Sequence, residues 1–134
     1  FCRGEKMELI ADRKSLIEVA RGEREADLYI KGGTVINVYS GELLKMNVAV
    51  YKDAIAYVGE SEATIGENTK VIDATGKYIS PGFIEPHSHP WVIYNPVSMT
   101  AKVLPLGTTT VVNDNLFFYL HMGAKRFIHM LDSL

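Results

Sequence analysis

The period of the sequence changes at Pro81, and that change restricts the chain to a two-part architecture. Before it, Ala26 to Gly59 reads ADLYIKGGTVINVYSGELLKMNVAVYKDAIAYVG, rich in Val, Ile and Tyr and broken at Gly32-Gly33, Ser40-Gly41 and Lys52-Asp53. Such residues suit a pleated, half-buried surface, and the closely spaced turn formers predict short antiparallel strands joined by tight turns. A polar loop from Glu60 to Thr69 follows, and KVIDATGKYIS then gives two more strands hinged at Gly76. After Pro81 the order becomes strand, helix, strand, helix. Gly82 to His89 is an extended run. Asn95-Pro96 offers an N-cap with proline at the first helical position, for a helix that carries Val97, Ala101 and Leu104 on one face and ends near Pro105-Leu106-Gly107. GTTTVVND is β-branched and too apolar on both faces for a surface strand, which suits a parallel sheet. Leu116 to Leu134 is helical text, interrupted or capped near Gly123. Ahead of everything, Glu5 to Gly22 sets Leu9, Ile10, Leu16, Ile17 and Ala20 at helical spacing and predicts one amphipathic helix. The class is α/β with a β-rich lobe: an amino-terminal helix over 1–25, the lobe over 26–80, and βα text over 81–134.

Composition narrows the function by exclusion. Fourteen Lys+Arg against sixteen Asp+Glu give a formal net charge of -2, and no basic run is present to track phosphates or an anionic membrane, so nucleic acid is excluded as a partner class. No apolar stretch approaches the roughly 20 residues that span a bilayer. The opening FCRGEKMELIADR has charges where a signal peptide needs an apolar centre, and the lone Cys2 has no disulfide partner in the chain, so the expected compartment is the cytoplasm.

The chemistry lies in PGFIEPHSHP, from Pro81 to Pro90. Side chains alternate along a strand, so His87 and His89 share a face and both imidazoles can reach one cation. Pro90 cannot donate to a sheet ladder, which places the pair at the strand's carboxyl end, where parallel α/β sheets and barrels keep their sites. The same alternation sends Glu85 to the histidine side, where it can orient a ligand from behind. Two partly exposed histidines at a turn is the other reading of the same residues. His121 and His129 lie eight apart in helical text and read as surface or packing residues; Trp91, Tyr94 and Phe117 to Tyr119 either line a pocket or pack.

The wider text VIDATGKYISPGFIEPHSHP resembles the entry to the barrel in the amidohydrolase superfamily, approximately V-I-D-A-x-G-x-x-V-x-P-G-F-I-D-x-H-x-H, and within it the adenine deaminases. SLIEVARGEREADLYIKGGTVINVYSGE is similar to their opening helix and first strands, and VLPLGTTTVVND to their second barrel strand and the helix before it. The resemblance implies the amino-terminal part of a composite β-sandwich followed by the first two βα units of a metal-dependent (β/α)8 barrel. It implies His87 and His89 as ligands of a divalent metal (Mn, Fe or Zn) in a binuclear site, and Asp114 facing that site as a catalytic candidate. Two positions depart from the family. Trp91 stands where adenine deaminases carry a carboxylate, and Asn113-Asp114-Asn115-Leu116-Phe117 replaces their A-D-P-H-E.

A divalent metal held by imidazoles and carboxylates lowers the pKa of bound water to about 7, making hydroxide available for attack on an sp2 carbon that bears nitrogen. The implied reaction is hydrolytic deamination, adenine and water giving hypoxanthine and ammonia, with a purine base or related heterocycle as the small-molecule substrate. The alternatives are another amidohydrolase acting on a cyclic amide or acylated amine, and a non-catalytic remnant that binds a partner or itself. A (β/α)8 barrel takes about 250 residues, far more than Tyr78 to Leu134 supplies. The expectation is therefore an amino-terminal piece that is inactive alone and forms homo-oligomers.

Overall fold

The computed structural model describes residues 11–90 and 93–132, which divide after Pro81 into two compact units. The first unit opens with helix α1 (Arg13–Ala20). Asp12 caps it, its carboxylate accepting from the Ser15 N–H at 3.0 Å and the Ser15 hydroxyl at 2.7 Å, which satisfies a backbone donor that the first turn leaves without a partner. The helix is shorter than the expected span, and Leu9, Ile10 and Cys2 lie outside the described residues. Its inward residues also differ from the expectation. Ser15 and Val19, one turn apart, are buried, whereas Ile17 is 58% exposed, because this face is the one that packs against strands of the lobe.

The strands of the lobe are β1 (Leu28–Lys31), β2 (Thr34–Ile36), β3 (Leu43–Lys45), β4 (Asn47–Tyr51), β5 (Ala54–Gly59), β6 (Lys70–Asp73) and β7 (Tyr78–Ile79). They form two sheets, ordered β5-β4-β1-β6 and β3-β2-β7. The antiparallel pattern expected for Ala26 to Gly59 holds in β1–β4, β2–β3 and β4–β5, and the two later strands pair in the other sense. β6 runs parallel to β1, from Leu28↔Lys70 to Lys31↔Asp73, and β7 runs parallel to β2 through Thr34↔Tyr78 and Val35↔Ile79. Two hinges in step explain this. The chain leaves the first sheet for the second at Gly32 (φ 76) and again at Gly76 (φ 75), left-handed conformations that cost glycine little, so β6-β7 retraces β1-β2 in the same direction.

Val19, Ala26, Tyr29 and Ala49 form the buried centre, with Tyr51, Ala56, Tyr57 and Ile65 packed on it. Tyr29 is fully buried and donates its hydroxyl to the Ser61 carbonyl at 2.6 Å, so the ring fills the core without leaving its polar end unsatisfied; burial pushes its phenol pKa up. Elsewhere in this unit Val35, Leu44, Val48, Ile55 and Ile79, drawn from both sheets, line an apolar groove of about 340 Å³.

The second unit contains β8 (Phe83–Ser88), α2 (Pro96–Val103), a 3₁₀ turn (Leu104–Leu106), β9 (Thr108–Asn113) and α3 (Leu116–Asp132). Asn95 and Ser98 close a reciprocal capping box at the start of α2, with bonds of 2.8 and 3.1 Å. β8 and β9 pair in parallel, and their register shifts between Glu85 and Ser88, where Pro86 has no N–H to give the ladder. Gly107 enters β9 at φ 99, and a Cβ there would meet the Phe83 ring at 3.3 Å. Gly123 (φ 72, ψ 160) has non-helical backbone inside the α3 span, so the helical text is interrupted there as expected. No helix among the described residues is long and apolar enough to cross a membrane.

Candidate metal centre

Parallel pairing brings the carboxyl ends of β8 and β9 side by side. Ser88 pairs with Asn113, the Ser88 hydroxyl donates to Asn113 Oδ1 at 2.5 Å, and the Asp114 N–H donates to the Ser88 carbonyl at 2.9 Å. Asp114, just past β9, therefore stands beside the His87–His89 pair that brackets Ser88. The alternation expected of an extended strand holds across the pair: His87 Nε2 and His89 Nε2 are 3.0 Å apart, with ring centroids 4.7 Å apart and planes inclined by 48°. Asp114 Oδ2 lies 3.4 Å from His89 Nδ1, while its Oδ1 accepts from the Leu116 N–H at 2.8 Å at the entrance to α3.

His87, His89 and Asp114 each offer one donor atom within 4.8 Å of the others, both histidines being exposed and the aspartate partly buried. Their chemistry suits a divalent ion. Imidazole nitrogen and carboxylate oxygen are the borderline donors that zinc and its neighbours take, and zinc–nitrogen bonds of about 2.0–2.1 Å put two nitrogens on one tetrahedral ion about 3.3 Å apart. The 3.0 Å separation of the facing Nε2 atoms is within a few tenths of an ångström of that spacing.

Glu85 lies on the same strand but reaches the site through the main chain. Its Oε1 accepts from the His87 N–H at 3.1 Å and so steadies the backbone of His87 rather than its ring. His121 is elsewhere, with Nδ1 2.8 Å from the Phe117 carbonyl and its ring 4.0 Å from that of Phe117, on the first turns of α3. Neither His121 nor His129 joins the cluster. Trp91 lies outside the described residues. Ser88 and Asn113 join the two strand ends, a role the sequence reading missed: alternation placed Ser88 away from the histidines, and nothing in a single sequence reports which residue a parallel neighbour sets opposite it.

By sequence, the chain is 41% identical over 123 residues to the Bacillus subtilis protein named "Putative adenine deaminase YerA", a match to 92% of this chain and 21% of that protein. It is 43% identical over 102 residues to the adenine deaminase of Moorella thermoacetica, covering 75% of this chain and 17% of that one. By structure, it is similar to N-acyl-D-glutamate deacylase from Bordetella bronchiseptica, crystallised with zinc and a phosphonate inhibitor, with a TM-score of 0.57 and 30% identity over 68% of this chain and 19% of that one. The chain is similar to proteins of the amidohydrolase superfamily. D-hydantoinase from Thermus sp. shares the same region, with a TM-score of 0.54 and 33% identity over 64% of this chain and 20% of that enzyme. The chain spans about a fifth of the length of the curated relatives it matches, within their amino-terminal part. No protein-family model matches it.

Proposed function

We propose that this chain is the amino-terminal part of a metal-dependent hydrolytic deaminase that converts adenine and water to hypoxanthine and ammonia, and that His87 and His89 hold its metal. One observation carries the reading: the two facing Nε2 atoms, 3.0 Å apart at the carboxyl end of a parallel strand, lie in a chain 41% identical to an adenine deaminase homologue over 92% of its length. In this proposal residues 26–80 contribute to a β-sandwich and 81–134 begin a (β/α)8 barrel, whose sites gather at the carboxyl ends of its strands. A divalent metal, bound there as one of a pair, supplies Lewis acidity and a nucleophile at neutral pH. The chain's own residues hold and orient. His87 and His89 present Nε2, Glu85 fixes the His87 main chain, and Asp114 carries negative charge to the site. Two imidazoles are fewer than the four ligands a structural zinc takes, so ligands from further barrel strands complete the centre.

A second reading has its own support. Leu116 and Phe117, 58% and 43% exposed, follow Asp114 at positions where polar groups would serve purine recognition, and the similarity to D-aminoacylase (36% identity, TM-score 0.55, over 67% of this chain and 19% of that one) points toward acylated amines. One assay separates the two. The complete gene product that contains this chain, purified and loaded with manganese, iron or zinc, is expected to release ammonia from adenine. Turnover of N-acyl-D-amino acids or cyclic amides with none of adenine would replace the first reading by the second.

A further inference from the structure

We infer that Asp114 is a positioning residue for this centre: it holds His89 with the ring proton on Nδ1, so that the Nε2 lone pair is presented beside that of His87. The inference rests on the proposed metal role of the two histidines. A neutral imidazole carries one ring proton, and the partner of one nitrogen decides which nitrogen keeps a free lone pair. The Nε2 atoms of His87 and His89 face each other at 3.0 Å, so both can serve one ion only when each ring carries its proton on Nδ1. For His89 the group beside Nδ1 is Asp114 Oδ2, at 3.4 Å. An ionised carboxylate only accepts hydrogen bonds, so this neighbour favours the Nδ1–H form.

The carboxylate is itself held. Oδ1 accepts from the Leu116 N–H at 2.8 Å and the Asp114 N–H donates to the Ser88 carbonyl at 2.9 Å, leaving Oδ2 turned toward His89. Ser88 is the residue between the two histidines, and its hydroxyl bonds to Asn113, so carboxylate and imidazoles are tied to one pair of strand ends. The contact to His89 is made at the nitrogen that does not face His87, which is where an orienting partner belongs. Partners of this kind change metal affinity about 10- to 100-fold when removed.

The test uses the 134-residue chain with zinc, cobalt(II) and nitrogen-15 NMR of the imidazoles. In the wild type, His89 is expected in the Nδ1–H form with and without zinc. Asp114→Asn, which keeps an acceptor for Leu116, should lower zinc affinity 10- to 100-fold and mix the His89 tautomers while leaving the cobalt absorption band unchanged; Asp114→Glu should recover part of the loss. Far-UV circular dichroism checks that each variant keeps its fold. Wild-type affinity and tautomer in both Asp114→Asn and Asp114→Ala, with zinc binding still abolished by His87→Ala/His89→Ala, would overturn this inference and leave the metal reading standing. A cobalt spectrum altered in intensity by Asp114→Asn would make Asp114 a ligand and overturn it too. Undiminished zinc binding in the double histidine variant would overturn both.

Discussion

His87 and His89 turn their Nε2 atoms toward each other at 3.0 Å across a single intervening residue, a spacing that an extended backbone sets through the two-residue alternation of side chains. Two neutral imidazoles this close are stabilised when a shared cation sits on both lone pairs. Alanine at either position is expected to weaken zinc binding by at least about tenfold, and the double variant to abolish it. Isothermal titration and elemental analysis of the purified chain read this directly, and unchanged zinc content in the double variant would count against the site.

The capping box closes the start of α2, the helix that connects the histidine strand to β9. Asn95→Ala removes the side-chain acceptor for the Ser98 N–H and is expected to cost about 1 kcal/mol, whereas Asn95→Gly costs only a few tenths. Amide hydrogen exchange along Val97–Val103 is the measurement, since a lost cap frays the first turn before it affects β8–β9. Equal protection in wild type and Asn95→Ala would contradict it.

Tyr29 holds the first unit together by two separable means. Tyr29→Phe keeps the ring and loses the bond to the Ser61 carbonyl, for an expected loss of about 1 kcal/mol. Tyr29→Ala also empties the centre of the core and is expected to cost about 3–5 kcal/mol, as large aromatic truncations do. Urea denaturation followed by tyrosine fluorescence should rank the two variants in that order; equal midpoints would show that the ring is not the main contributor.

Acid should destabilise the first unit. Asp12 is held below the usual carboxylate range by the Ser15 N–H and hydroxyl, Glu25 by the Asn68 side chain and N–H, and Asp73 by the Thr75 hydroxyl and N–H. A carboxyl group whose folded pKa is depressed stabilises the fold above its unfolded value, about 4, and that contribution fades as pH falls through the lower folded value. Denaturation midpoints are therefore expected to be flat from about pH 7 to 5 and to fall below about pH 4. The triple variant Asp12→Asn, Glu25→Gln, Asp73→Asn should show a shallower fall, and a slope identical to wild type would refute the assignment.

The 134-residue chain by itself is expected to self-associate and to release no ammonia from adenine. Phe83 and Ile84 on β8 are 61% and 64% exposed, and Val97 on α2 and Leu106 in the turn after it are 74% and 78% exposed, apolar surface of the kind that drives association. Light scattering across a concentration series, run alongside an ammonia assay, tests both halves; a monomer that deaminates adenine would show that the residues of this chain suffice.

Much of the second unit was legible in the text. Asn95-Pro96 announced its helix because capping is a local bond between neighbours, and the spacing of His87 and His89 determined a shared face because strand alternation is also local. The first unit was less legible. Short Val- and Tyr-rich runs between glycines gave the strands, but the parallel pairing of β6 with β1 and β7 with β2 depends on two hinges, Gly32 and Gly76, acting in register more than forty residues apart. The inward face of α1 was misread for a similar reason. Ile17 is more apolar than Ser15, yet Ser15 is buried, because the strands that cover the helix decide which stripe of it meets the core.

At the candidate site the same division holds. The sequence by itself determined the two histidines, their common face and the proline that breaks the ladder beside them, all consequences of backbone geometry over a few residues. Only the tertiary structure decided that Asp114, twenty-five residues beyond His89, brings Oδ2 to its Nδ1, and that Glu85 serves the main chain of His87 instead of its ring. Those contacts follow from the parallel register of β8 and β9, and register is set by packing between strands and by the turn at Gly107, neither of which any single strand encodes.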